Sequence, residues 1–174
     1  MKRPLRRAFS LVELVAVVAI LGVLSAAAIP ALGTLNESRR SAVAGEIERR
    51  LMLAKAWAGS TGQPAGLRVN TSTGLLELLR IAAPGAAPTP MPGQNGESDA
   101  GSTVLVSQLV PGVTLASISV APGGDSAVWF EFDGEPQSRT SAGVLVGTLS
   151  ADAAISVTSG QTITVRRLTG LIER

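Results

Sequence analysis

Hydrophobic and polar positions divide the chain into three stretches with different periods. From 14 to 36 no residue is charged, and about 23 positions at about 1.5 Å per residue are enough to span roughly 30 Å of hydrocarbon as a helix. From 37 to 58 the apolar residues Val43, Ile47, Leu51, Ala54 and Ala58 recur every three or four positions, while Arg39, Arg40, Glu46, Arg49, Arg50 and Lys55 fall mostly off that stripe. This predicts a helix with one buried face. The breakers in Gly59-Ser60-Thr61-Gly62-Gln63-Pro64 predict its end. Beyond 65 the period shortens to β-branched runs at 66–70, 75–81, 103–109, 113–120, 127–132, 144–149, 155–158 and 162–168, separated by Gly, Pro, Asn, Asp and Ser.

These elements predict an α+β fold: a long N-terminal helix over 9–58, with its first half (about 14–36) in a membrane and its second half packed on a small antiparallel β domain of one or two sheets, 59–174. Thr71-Ser72-Thr73-Gly74, Pro122-Gly123-Gly124-Asp125 and Ser159-Gly160-Gln161 carry turn composition, the last short enough for a hairpin. Residues 82–102, rich in Pro, Gly and Ala, predict a long irregular surface loop that adds little to a core. The soluble part has the size of one domain.

Charge adds direction. Lys2, Arg3, Arg6 and Arg7 precede the apolar run, an asymmetry that keeps the N-terminus cytoplasmic and sends the C-terminal domain across the membrane. Ala26-Ala27-Ala28 could imitate a signal-peptidase site, but cleavage there would leave one residue without a role. That residue is Glu13, a lone carboxylate at the head of the apolar run, where an acid costs up to about 2.5 to 3.5 kcal/mol on insertion scales. Within the run, Gly22 and Ala26 make a small-x-x-x-small pair suited to close helix approach, and Pro30 removes a backbone hydrogen bond where a kink is expected.

The segment Ala8-Phe9-Ser10-Leu11-Val12-Glu13-Leu14-Val15 resembles the leader junction of type IV pilins and type II secretion pseudopilins. The resemblance implies that residues 1–8 are a prepilin leader, that a prepilin peptidase cuts between Ala8 and Phe9 and methylates the new Phe9 amine, and that Glu13 becomes the fifth residue of the mature chain. The family usually places Gly before the cut; Ala8 keeps the small side chain. A mature Phe9 amine lies about one helical turn from Glu13, on the same or a neighbouring subunit, so the pair would set register during filament assembly. Downstream, Trp129-Phe130-Glu131-Phe132-Asp133-Gly134 and Thr169-Gly170 resemble minor pseudopilins of the GspH and FimT type, in which a strand ends in Phe ahead of a Gly turn and a late Thr-Gly closes the domain. The resemblance implies a structural subunit in the inner membrane with a periplasmic domain. Its partners would be other pseudopilins or pilins, the prepilin peptidase, the inner membrane assembly platform and membrane lipid. The alternative is a minor type IV pilin serving pilus assembly, adhesion or DNA uptake.

Composition argues against catalysis. The chain has no His, Cys or Tyr, which removes the commonest general base, the thiol nucleophile and the soft metal ligands. Lys55 is the one lysine outside the leader, with a place expected on the helix surface. Asp125, Glu131 and Asp133 lack the order of a calcium loop and read as solvated turn acids. No cofactor and no metal is expected. The formal charge is +2, yet removing the four leader cations leaves 11 basic against 13 acidic residues, so nucleic acid is an improbable partner. Arg39, Arg40, Arg49 and Arg50 would then form a positive band just outside the membrane, suited to lipid headgroups or to acidic faces of neighbouring subunits.

Overall fold

The computed structural model describes residues 10–92, 101–123, 126–158 and 160–174, the side chains of 27–36 excepted. The chain divides into two compact units, one ending at Ser38 and the other running from Arg39 to Arg174. Helix α1 covers Leu11–Thr61. It ends where the breakers predict: Gly62 takes a left-handed φ of 70° and its N–H bonds the Ala58 carbonyl at 3.0 Å, the αL stop that glycine makes without strain.

The unit from Arg39 onward is built on two antiparallel sheets. Strands β1 (Ala65–Asn70), β2 (Leu75–Arg80), β3 (Thr89–Pro90), β4 (Thr103–Leu105), β5 (Leu115–Ser119), β6 (Ala127–Phe130), β7 (Pro136–Arg139), β8 (Leu145–Thr148), β9 (Ala153–Val157), β10 (Gln161–Val165) and β11 (Ile172–Glu173) follow in order, with the short helix α2 (Val106–Leu109) after β4. One sheet has the order β3-β2-β1-β6-β7-β8, with β4 also on β2; the other is β11-β10-β9-β5. Leu67 sits opposite both Leu78 and Val128, so one face of the larger sheet carries Leu67, Val69, Leu76, Leu78, Val128 and Phe130 into the core. There they meet Val43, Ile47, Leu51, Ala54 and Ala58 of α1, all without solvent exposure, and Ile155, Ile163 and Val165 of the smaller sheet. The helical stripe expected from spacing is thus the buried one.

The opposite face of the larger sheet has its own small cluster, in which Trp129 is fully buried with Leu79, Ile81 and Ala127. Gly66 faces Trp129 across the β1–β6 pair, and a Cβ there would stand 2.6 Å from the Val128 carbonyl and 2.8 Å from the indole. Only glycine lets the ring lie over the strand.

Three departures from expectation have physical causes. The run at 103–109 is strand only to Leu105 and then turns as α2, which buries Val106. The 82–102 segment does add to the core: Met91 is 3% exposed, its N–H bonds the Leu78 carbonyl at 2.9 Å, and Ser102 is buried; residues 93–100 lie outside the described residues. Strands β3, β7 and β11 were not expected, because two are only two residues long and β7, Pro-Gln-Ser-Arg, has no apolar alternation to read.

Candidate functional site

The first turn of α1 is capped by its own side chains. The Val12 N–H donates to Ser10 Oγ at 3.2 Å, and the Ser10 N–H donates to Glu13 Oε2 at 3.4 Å. The Glu13 and Leu14 N–H groups both bond the Ser10 carbonyl, at 3.0 and 3.1 Å. This is a variant of the capping box: Glu, three residues on, reaches back to the cap N–H, while the Ser hydroxyl takes the second helical N–H in place of the third. Glu13 also sits where the helix dipole favours an anion. The expected role of Glu13 rested on a partner amine alone, whereas the structure gives the carboxylate a partner within its own chain. Ser10 is the residue that sequence reasoning missed, although Ser-x-x-Glu ahead of an apolar run was there to be read. Ala8 and Phe9 lie outside the described residues.

Around this polar tip the helix is apolar and uncovered. Leu11, Val12, Leu14, Val15, Val17, Val18, Ile20, Leu21, Val23 and Leu24 are each between 48% and 79% exposed, and a Cβ on Gly22 would meet nothing within 4 Å. No single face is favoured. Among the described residues no helix is long and apolar enough to cross a membrane. The span expected at 14–36 takes in residues 27–36, whose side chains lie outside the described set. α1 continues through position 30.

In the second unit the charges are paired in ways that revise the expected positive band. Glu46 accepts from Arg49 Nε at 2.8 Å and Nη2 at 2.7 Å, and from Arg50 Nε at 2.7 Å. Arg50 is 2% exposed and reaches across to the carbonyls of Ser102, at 3.0 Å, and Gly101, at 3.4 Å. It is therefore a buried clasp between α1 and the chain entering β4, not a surface charge. The Glu46–Arg50 pair is thus partly buried, with the guanidinium on the inner side. The hydrogen bond from Arg49, helped by Arg50 and opposed by partial burial, holds the Glu46 carboxyl below its ordinary range.

Lys55 also departs from the surface place expected of it. Its Nζ donates to the carbonyls of Thr169, at 2.9 Å, and Gly170, at 3.0 Å. Gly134 and Gly170 both have left-handed φ, at 81° and 58°, and a Cβ on Gly170 would collide with the Gly134 carbonyl. The Gly turn after β6 and the late Thr-Gly thus meet over Lys55, beside the fully buried Phe130. Of the acids weighed for a cation, Asp125 lies outside the described residues, Glu131 is paired with Arg139, and Asp133 accepts from the Glu135 N–H at 2.9 Å. Among the described residues no group of three His, Cys, Asp or Glu is placed to hold a metal. An exposed cluster joins Asp152 to the Arg167 N–H and to Arg166, each at 2.9 Å. Those two bonds, the backbone one first, lower the Asp152 pKa.

Comparison with known proteins bears on both units. Residues 3–29 match the prokaryotic N-terminal methylation motif. Two solved structures of the minor pseudopilin EpsH from the type II secretion system of Vibrio cholerae are similar over 78% of this chain and 94% and 95% of theirs, with TM-scores of 0.53 and identities of 15% and 14%. No curated protein matches. At that identity the likeness is one of fold: the chain has the α+β pseudopilin fold behind a prepilin methylation motif.

Proposed function

We propose that this chain is a structural minor pseudopilin of a type II secretion pseudopilus, a filament subunit that helps drive protein export across the outer membrane. The observation that carries the reading is the first part of α1, an all-round exposed apolar surface that begins at a capped carboxylate. In this reading the prepilin peptidase cuts between Ala8 and Phe9 and methylates the Phe9 amine. The apolar segment at 14–36 lies in the inner membrane, Pro30 kinks the helix there, and the β domain stands in the periplasm. The partners are other pseudopilins and the inner membrane assembly platform.

The geometry of the first turn supports a chemistry of assembly. A carboxylate bonded to its own Ser10 N–H at 3.4 Å is weakly held. A cationic amine from an adjoining subunit offers a stronger, charge-assisted bond in a medium of low dielectric. Exchange of the weak internal bond for the intersubunit one favours the docked state and sets axial register. The likeness to the EpsH fold over most of both chains supports the type II reading over a type IV pilus.

Because the chain contains no cysteine, single cysteines at Val17 or Leu24 report neighbours without background. Crosslinking of the mature full chain in membranes that hold its filament system should yield adducts with pilin-like subunits, and Glu13→Ala should deplete them. Adducts confined to unrelated membrane proteins, or an unchanged pattern in Glu13→Ala, would overturn the reading.

A further inference from the structure

The last residues of the chain return to the start of the second unit. Lys55 holds the carbonyls of Thr169 and Gly170, and Arg174 donates from Nη2 to Ser41 Oγ at 2.6 Å and from Nη1 to the Ser41 carbonyl at 3.4 Å. Residues 169–174 are therefore pinned along α1 between Lys55 and Ser41. This brings a third guanidinium to the level of Ser41, which Arg39 and Arg40 immediately precede in the helix. From 39 to 41 the helix rises only about 3 Å, while successive residues turn about its axis, so the three cations form a belt at one level. Gly45 borders it: a Cβ there would be in ordinary contact with Arg174 Nη1, at 3.8 Å.

The belt carries surplus charge. Among the described residues Arg39 and Arg40 make no ion pair, and Arg174 bonds only Ser41. Glu173 is held by Arg166 at 2.7 Å and Glu48 lies two turns on and makes no ion pair, while Glu37, two residues before Arg39, and the main-chain carboxylate of residue 174 offset two of the three charges. Arg49 and Arg50, which sequence spacing had placed in the same band, are occupied by Glu46 and the 101–102 carbonyls.

We infer that Arg39, Arg40 and Arg174 bind the phosphates of anionic phospholipid headgroups at the surface of the membrane that the 14–36 segment enters. The inference rests on the membrane reading above. The belt begins three residues after the uncharged stretch ends, and a ring of cations at one level suits a planar charged surface. A single-stranded nucleic acid would call for a stacking platform, and no aromatic residue lies between Ser10 and Lys55 or after Phe132; a duplex is bound through several phosphates at once, and the belt has three cations. The C-terminal arginine thus gives the β domain a contact with the lipid surface that the helix sequence alone does not supply.

Native mass spectrometry of the detergent-solubilised full chain tests this, with phosphatidylglycerol, phosphatidylcholine, inorganic phosphate and a DNA duplex as separate additives. Phosphatidylglycerol should be retained over phosphatidylcholine by at least about fivefold, the weight of one arginine near a charged surface. The triple change Arg39→Gln, Arg40→Gln, Arg174→Gln should abolish the preference, and the corresponding three Lys changes should keep it; tryptophan-fluorescence melting of each variant verifies the fold. Equal retention of both lipids, an unchanged preference in the Gln triple, displacement by inorganic phosphate at equal concentration, or preferred binding of the duplex would each overturn the inference. Membrane fractionation separates the two levels. A chain recovered without membrane defeats the membrane reading and the belt with it, whereas an inserted chain with no lipid preference defeats the belt alone.

Discussion

Arg50→Ala removes the clasp that joins α1 to the strand entering at Ser102. The side chain is almost fully buried and makes one charge-assisted bond to Glu46 at 2.7 Å and two bonds to carbonyls, at 3.0 and 3.4 Å. A buried bond to a charged group contributes about 1.5 to 3 kcal/mol, and breaking a buried pair outright costs about 3 to 5 kcal/mol. The lower range applies here, because neither main partner is orphaned: Glu46 keeps Arg49, and the Ser102 carbonyl keeps the Leu78 N–H at 2.8 Å. The loss should therefore be about 1.5 to 3 kcal/mol, or roughly 3 °C of melting temperature per kcal/mol for a domain of this size. Thermal unfolding of the full chain in detergent, followed by the fluorescence of buried Trp129, reads it directly. Arg50→Lys should recover little, since a single ammonium cannot match the forked geometry. A melting temperature within a degree of wild type for Arg50→Ala would refute the argument and return Arg50 to the surface.

Leu51→Ala, at a position without exposure, should cost about 2 to 5 kcal/mol in the same unfolding assay; an unchanged midpoint would show that the helix does not pack on the sheets as described. Gly170→Ala should destabilise and Gly85→Ala much less. Both have positive φ, but only at 170 does a Cβ meet backbone, and a similar loss at the two sites would refute the close Gly134–Gly170 approach. The pKa of Glu46 is depressed in the fold, so its contribution to stability is present above the ordinary value of 4.5 and lost as pH falls below it. Denaturant midpoints should thus decline on acidification through that range, more steeply for wild type than for Glu46→Gln, and parallel profiles would contradict the assignment. Ser10→Ala should weaken the cap by about 1 kcal/mol at most at an exposed helix end, visible as faster amide exchange at Val12; equal exchange would exclude the capping box in solution.

The parts of the fold that were legible in the sequence are those with a local period. The stripe Val43, Ile47, Leu51, Ala54 and Ala58 is buried as its spacing implies, and β1, β2, β6, β9 and β10 fall within or beside apolar runs. Long-range partners left no comparable trace. Nothing local joins Arg174 to Ser41 or Lys55 to Thr169, contacts that span 133 and 114 residues. Position 50, however, stands seven after Val43, three after Ile47 and four before Ala54, so helical spacing already puts Arg50 on the buried stripe; its charge led to a surface placement. Met91 likewise sits in a Pro- and Gly-rich segment whose average composition conceals one large apolar side chain. At the candidate site Glu13 is conspicuous as a lone acid in an apolar run, whereas Ser10, two residues past the basic leader, shows its role only through the bond of its hydroxyl to the Val12 N–H.

The proposed function turns on what happens at the head of α1. Intact-mass and fragment-ion measurement of the N-terminus of the chain purified from membranes that contain a prepilin peptidase tests it most directly. The expected product is a mature chain that begins at Phe9 and carries one added methyl group on its amine, with Ser10 and Glu13 retained. A chain that still bears Lys2 to Ala8, or one cut after Ala28 so that Glu13 is discarded, would contradict it.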